Sequence, residues 1–195
     1  MATRTKSVEQ TPEENDINLL NEESEENTMS SNEVEIKKIK RSAYASFLNI
    51  GTKTVPNFKR MGLGISEMDL DYNAEEESEK YIHQDNATHS VNSYAPSSDV
   101  EQKCYVGEDI FTYVDAKRRA RAVESDAETQ ILDVFMYDKK ADGVYGAELN
   151  DAIVVISKFS GDSIEYAVKR NGDPIQGYVT ITDGKVTFTK GEYTV

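Results

Sequence analysis

Apolar and polar residues alternate with a period of two along most of the chain after Ala43, and this pattern predicts a β-rich domain. A first strand is expected to begin at Tyr44 and to stop at Gly51. Residues 131–137, interrupted only by Asp133, and residues 152–156 are apolar on both faces, which is typical of strands covered on both sides. Shorter alternating segments predict further strands at residues 63–72, 90–94, 100–105, 164–168, 175–181 and 186–188.

The segment 63–72 is expected to contain a β-bulge, because its alternation changes phase near Ser66 and Glu67. Beyond that point Met68, Leu70 and Tyr72 face one way, while Asp69 and Asp71 face the other. The following stretch, residues 73–80, holds four glutamates and little that is apolar. It is expected to be an exposed loop or a short helical turn.

Turn-forming residues separate several of these strands. Asp183 and Gly184 form the two-residue signal of a tight hairpin. The sequence Asn-Gly-Asp-Pro at residues 171–174 predicts a second, looser hairpin turn, and residues 96–99 predict another turn.

One amphipathic helix is predicted after Gly107. Glu108 and Asp109 lie at its start, four cations lie at its end, and both ends therefore complement the helix dipole. Ile110 and Val114 share a face with Tyr113 and Lys117, so this face should pack against a sheet. The expected fold is mainly β, with about nine strands and one packed helix in a domain of roughly residues 36–195.

Composition excludes several classes of protein. No apolar run approaches the roughly 20 residues that span a bilayer, so no membrane partner is expected. A net charge of −14 argues against general nucleic-acid binding, which requires cationic surface. One cysteine, Cys104, excludes an internal disulfide framework and is expected to be a half-buried small hydrophobe.

Charge is concentrated at the N-terminus. Residues 1–35 hold ten acidic and two basic residues and no aromatic residue. Such a segment cannot bury enough apolar surface to offset its ordering entropy, so it is expected to be a disordered arm when the chain is alone. It would act as a solubilising tail, or it would order against a neighbouring subunit through Ile17, Leu19 and Leu20.

Two clusters of cations are candidates for contacts with acidic stretches of another copy. They are Lys37, Lys38, Lys40 and Arg41, before the first strand, and Lys117, Arg118, Arg119 and Arg121, at the end of the helix. Six residues are less than a nucleic-acid-binding footprint, which favours a protein contact for the first cluster.

Candidate catalytic chemistry is sparse. His83 and His89 are six residues apart in a polar stretch, a spacing that suits neither one helix face nor a usual metal site. As a nucleophile, Cys104 would need a base, and these two histidines are the only ones in the chain. The protein is therefore expected not to be an enzyme and to need no metal or cofactor.

Three segments resemble the major tail tube proteins of long-tailed, siphophage-type bacteriophages. They are residues 61–82, with Met-Gly-Leu-Gly-Ile-Ser leading to Glu-Lys-Tyr-Ile; residues 90–102, with Ser-Val-Asn-Ser-Tyr-Ala-Pro; and residues 107–114, with Gly-Glu-Asp-Ile-Phe-Thr-Tyr-Val. The resemblance covers about residues 42–160. It implies a tail-tube-type β-sandwich or barrel with one helix.

The resemblance further implies a structural virion protein whose hexameric rings stack into a tube for genome delivery. It implies tape-measure and tail-terminating proteins as partners, passage of DNA without specific binding, and a location in the virion tail after assembly in the host cytoplasm. Asp69 and Asp71, with Glu67 beside them, are candidates for an anionic inner wall that repels phosphates. Glu75, Glu76, Glu77 and Glu79 are candidates for contact with an adjacent ring.

Two other functions remain open at the level of sequence. A tube protein of a contractile tail or tail-like particle would share the fold and role and differ in having a sheath as partner. A stand-alone β-sandwich module for carbohydrate or peptide would expose a patch of aromatic side chains. The chain has 11 tyrosines but no tryptophan, which weakens the case for a sugar-binding platform.

Overall fold

Nine strands and one α-helix form within residues 36–194, the part of the chain that the computed structural model describes. This confirms the mainly β fold with one helix. Residues from Lys38 onward belong to a single unit. The acidic arm, residues 1–35, lies outside the described residues, so its expected disorder stays a prediction.

The elements are β1 (Tyr44–Asn49), β2 (Phe58–Arg60), β3 (Ala74–Glu79), β4 (Thr88–Tyr94), β5 (Ser97–Lys103), α1 (Asp109–Ala120), β6 (Glu128–Ala141), β7 (Val144–Phe159), β8 (Ser163–Thr182) and β9 (Lys185–Lys190), with short 3₁₀ helices at Arg41–Ala43 and Glu124–Asp126.

Seven strands form one antiparallel sheet in the order β2-β1-β6-β7-β8-β5, and β9 pairs with the C-terminal half of β8. The remaining two strands, β3 and β4, form a separate two-stranded ribbon. The tight hairpin at Asp183 and Gly184 is confirmed, because β8 ends at Thr182 and β9 begins at Lys185.

Apolar side chains form clusters on the two faces of this sheet. The helix-side core contains Leu48, Ile131, Val154 and Tyr166, together with Ile110 and Val114 of α1. The opposite core contains Phe47, Leu132, Val134, Ala147 and Val179. Strand β6 is buried on both faces over residues 131–134, where Ile131, Leu132 and Val134 are fully buried, but the predicted coverage does not reach Tyr137, which is 53% exposed.

The helix follows its sequence signals closely. Its N-cap is Glu108, whose side chain accepts a hydrogen bond from the amide of Phe111, and Arg121 ends it in the left-handed conformation. Ile110 and Val114 are fully buried in the helix-side core. The prediction of an amphipathic helix packed on the sheet is confirmed.

Three predicted turns or loops are strands in the structure. Residues 73–80 are neither loop nor helical turn, because Ala74–Glu79 is β3. Residues 171–174 lie inside β8 as a bulge, where Gly172 has a φ of +70° and Leu149 and Asp151 of β7 pair with Ile175 and Asn171. The turn predicted at residues 96–99 does not extend beyond Pro96, because Ser97–Lys103 is β5. At residues 171–174 and 97–99, turn-forming residues are held within a strand by pairing with the neighbouring strands β7 and β8, respectively.

Two predictions about strands are wrong, one about where a strand forms and one about how far a strand is buried. Residues 63–72 form no continuous strand, and isolated bridges join Ile65 to Gln102 and Asp71 to Ser97. Gly64, with a φ of +80°, interrupts the extended backbone there. In addition, β7 is not covered on both faces at residues 152–156, because Val155 is 40% exposed.

A buried polar network links four strands of the sheet. The guanidinium of Arg170 on β8 donates to the carboxylate of Asp133 on β6 at 2.8 and 3.0 Å, and to Ser98 Oγ on β5 at 3.1 Å. Tyr44 and Ser46 of β1 donate their hydroxyls to the same carboxylate at 2.8 and 2.6 Å. Asp133 and Arg170 are each almost completely buried.

Removal of one partner from this network should strongly destabilise the fold. We expect D133A to lower the free energy of unfolding by about 3–5 kcal/mol, because it leaves the Arg170 charge buried and unpaired. D151A, which removes an exposed carboxylate from β7, should cost less than about 1 kcal/mol. Urea denaturation measures both values, and a loss below about 1 kcal/mol for D133A would contradict the assigned role.

Tyr44 should make stability depend on pH in the alkaline range. Burial, and then the neighbouring Asp133 carboxylate, raise the pKa of Tyr44 well above its ordinary value of 10.0. The unfolded chain therefore releases this proton first, and stability falls as the pH rises above about 10. We expect Y44F to show a shallower loss in denaturation curves between pH 9 and 11 than wild type or Y137F, which changes an exposed tyrosine. Equal slopes in all three proteins would contradict this assignment.

Candidate assembly surfaces

The three carboxylates predicted to form an anionic wall lie together on one surface. Glu67, Asp69 and Asp71 are exposed, while Met68 between them is buried. The bridges to Gln102 and Ser97 hold this segment against the outer edge of β5. The three side chains therefore share a groove of about 610 Å³, as the alternation around Met68 predicts.

Three further carboxylates in this groove were missed by the sequence reasoning. Asp99 and Glu101 belong to β5, whose buried residues Ser98, Val100 and Gln102 alternate with them, and Glu165 belongs to β8. The alternation in β5 was visible in the sequence, but the position of Glu165 depends on its pairing directly opposite Glu101. Lys158 offsets part of this charge, because its Nζ lies 2.6 Å from Glu165 Oε1.

The glutamates predicted to reach another ring lie on an exposed ribbon, which we call the acidic hairpin (β3 and β4, residues 74–94). Every residue of its two strands is exposed. At its base the rings of Tyr72 and Tyr94 meet edge to face at 6.1 Å. Beside its base, Asn73 hydrogen-bonds to Ala95 and Ser97.

The register of the acidic hairpin divides its four glutamates between two faces. A β-bulge lies between Glu75 and Glu76. Three of the glutamates pair with hydroxyl-bearing residues of β4: Glu75 with Ser93, Glu77 with Ser90 and Glu79 with Thr88. These three carboxylates share one face, where Ser93 donates to Glu75 at 2.9 Å and Asn92 donates to Glu77 at 3.1 Å. Glu76 pairs with Val91 on the other face.

The candidate basic residues differ in whether their positive charges already have a carboxylate or carbonyl partner within the chain. Arg118 and Arg119 both bind Asp115, at 2.8 and 2.6 Å, and together they hold the pKa of that carboxyl below its ordinary value despite desolvation. Lys117 donates to the carbonyls of Asp126 and Glu128. Arg41 donates to the carbonyls of Tyr44 and Met68.

The other cations are available for outside contacts to different degrees. Lys37, Lys38 and Lys40 are exposed. Within the described part of the chain, the side chains of Lys38, Lys40 and Arg121 have no polar partner. These three are therefore the uncompensated members of the predicted clusters.

Several strand edges are unpaired among the described residues. Strand β2 pairs only with β1, β9 pairs only with β8, and each strand of the acidic hairpin pairs only with the other. An unpaired edge presents backbone N–H and C=O groups that can accept a further strand.

The groups considered for catalysis are not brought together. His83 stacks on Tyr81 at 6.0 Å between centroids, and His89 lies on β4. Cys104 is partly buried against the helix-side core, as predicted, and desolvation raises the pKa of its thiol. No group of three or more histidine, cysteine, aspartate or glutamate residues in residues 36–194 could hold a metal ion. No helix that the structure describes is long and apolar enough to cross a membrane.

Comparison with known proteins gives only distant similarities. No protein-family model and no curated protein matches the sequence. The chain is similar to a chain in the cryo-EM structure of the six-fold symmetrised anti-feeding prophage baseplate, with a TM-score of 0.42 and 8% identity over 73% of this chain and 96% of that one. It is also similar to a chain of the PVC sheath/tube terminator of an extracellular contractile injection system in its extended state, with a TM-score of 0.43 and 9% identity over 72% and 97%. With TM-scores this low, neither similarity assigns the chain a function.

Repulsion between carboxylates in the groove of about 610 Å³, which we call the acidic groove, should lower the stability of the fold. Because Glu101 and Glu165 lie directly opposite each other, we expect E101Q to raise the free energy of unfolding by roughly 0.5 kcal/mol. D99N changes a carboxylate on the same strand and face, but its cross-strand neighbour is Ala167, so it should gain less. Urea denaturation at low salt measures the difference, which should shrink as added salt screens the charges. An equal gain for D99N would show that the local pairing is unimportant.

Proposed function

We propose that this protein is a structural component of a phage-tail-like particle, and that copies of it assemble into hexameric rings stacked as a tube. The observation that carries the proposal is the acidic hairpin, whose strands are exposed throughout. An isolated two-stranded ribbon is marginally stable in water, so contact with another subunit would stabilise it. The resemblance of residues 42–160 to tail tube proteins supports the same role.

Two further features support assembly around a bore. Each strand of the acidic hairpin pairs only with the other among residues 36–194, so its outer edges can pair with strands of neighbouring copies. The groove around Glu67, Asp69 and Asp71 concentrates negative charge on one surface. Facing the bore, this surface would repel phosphates over about 8 Å at physiological salt and let DNA pass unbound.

The proposed partners follow from this role. They are other copies of the chain, a tape-measure protein inside the tube, and tail-terminating proteins at its end, with the virion tail as location after assembly in the host cytoplasm. The function is structural rather than enzymatic. Whether the tube belongs to a siphophage-type or a contractile particle depends on the presence of a sheath.

A stand-alone binding module is the second candidate. It is favoured by a groove of about 870 Å³ at the base of the acidic hairpin, lined in part by Leu70, Tyr72, Tyr94, Pro96 and Pro174. Aromatic and proline side chains in a groove suit a peptide or a small ligand. A binding module would work as a monomer, which separates the two candidates.

The assembly state of the purified full-length protein tests the proposal. We expect negative-stain electron microscopy to show rings or tubes with a central hole. Charge reversal of all four hairpin glutamates (E75K/E76K/E77K/E79K) should block elongation while circular dichroism and the melting temperature remain those of a folded protein. Monodisperse wild-type monomers in analytical ultracentrifugation at the highest soluble concentration would overturn the proposal and favour the binding module. Normal tubes from the quadruple variant would remove the hairpin from the contact.

A further inference from the structure

One edge of β7 is open beside the C-terminal end of α1. Pairing between β6 and β7 ends where Glu128 lies opposite Ile153, and the amide of Val154 donates to the carbonyl of Ala127 at 3.0 Å. From residue 155 to 159, β7 pairs with β8 alone in the portion of the chain that is described. This stretch, which contains a bulge between Ile156 and Lys158, presents backbone N–H and C=O groups on its other side.

The groove along this edge has an apolar floor and a cationic rim. Its volume is about 400 Å³, and its floor includes Val154, Val155 and Ile156. Val155 is 40% exposed although the sequence predicts a strand covered on both faces. Lys117, Arg118 and Arg121 line its rim, and we call the whole feature the helix-end groove.

The acidic hairpin is complementary to this groove in charge and in form. Glu75, Glu77 and Glu79 lie in a row on one face, about 7 Å apart at the rise of a β-strand. Among residues 36–194 the outer edge of β3 pairs with no strand, and Val91 on the other face of the hairpin is 50% exposed. The hairpin thus offers carboxylates, a strand edge and apolar surface. The groove offers an apolar floor, a strand edge and one uncompensated cation, Arg121, because Lys117 and Arg118 already have partners.

We propose that the helix-end groove receives the acidic hairpin of a second copy of this chain. Strand β3 lies along residues 155–159 of β7, and the face bearing Glu75, Glu77 and Glu79 turns toward Arg121. Within the two predicted basic clusters, Lys38 and Lys40 are the other uncompensated cations, but they precede β1 and lie on no strand. This inference rests on the proposed assembly and specifies one of its contacts.

Such a contact joins two different surfaces of the same molecule. Each copy that docks its hairpin still presents its own empty groove, so the contact propagates from copy to copy instead of closing as a two-fold dimer. A subunit that builds a ring or a stack needs a contact of this kind.

Disulfide cross-linking between copies tests the proposed pairing. In a C104S background, full-length E77C mixed with full-length R121C should give a cross-linked dimer under mild oxidation, because a disulfide needs Cβ atoms within about 4.5 Å. The double variant E77C/R121C should give a ladder of higher species. E76C is the matched control, since it lies one residue away on the opposite face and should lose the cross-link to R121C.

Charge exchange provides a second measurement on the same contact. E77K and R121E should each abolish assembly, E76K should retain it, and the combined E77K/R121E protein should regain it, with folding checked by circular dichroism. If wild type assembles but E77C cross-links to K40C instead of R121C, the helix-end groove is wrong and the proposed function stands. If wild type is monomeric and no cross-link forms, both are overturned.

Discussion

The buried pair of Asp133 and Arg170 is the interaction on which the sheet depends. Because each charge is almost completely buried, neither can be removed without leaving the other unpaired in a low-dielectric interior. Hydroxyls of Tyr44, Ser46 and Ser98 satisfy the remaining polar positions around it. The network thereby fixes β1, β5, β6 and β8 relative to one another, and a shift of register in any of these strands would break it.

The central strands of the sheet are buried by packed side chains, whereas strands at its margins have edges that are unpaired within the described part of the chain. Strand β6 is buried on both faces over residues 131–134, whereas β2, β9 and residues 155–159 of β7 each have a hydrogen-bonded strand on one side only among residues 36–194. The acidic hairpin extends this asymmetry, because it has strand geometry with no packed face. An architecture with a rigid centre and unpaired margins suits a subunit that is completed by others of its kind.

The helix and the central strands could be predicted from the sequence because their signals are local. Glu108 at the N-cap, the cations in the last turn and the spacing of Ile110 and Val114 each specify the helix without reference to distant residues. The two-residue turn at Asp183 and Gly184 is equally local. Likewise, the alternation around Met68 suffices to place Asp69 and Asp71 on one surface.

Features that depend on pairing between distant strands could not be predicted in this way. The Asn-Gly-Asp-Pro sequence at residues 171–174 has the composition of a turn, yet the neighbouring β7 keeps it in a strand as a bulge. Residues 73–80 read as a loop because a row of glutamates gives no apolar alternation, and their strand partner lies at residues 88–94. The positions of Glu165 in the acidic groove and of Arg170 beside Asp133 likewise follow only from the register of β8.

The length of β8 has a mechanical consequence. Its 20 residues contribute Tyr166 to the helix-side core and Val179 to the opposite core, so one continuous backbone passes through both. Tension applied along that backbone would load the ladder with β7 in shear, where many hydrogen bonds resist together. The two bulges of this ladder, one near Gly172 and one between Ile156 and Lys158 of β7, interrupt its regular hydrogen bonding and are where it would deform first.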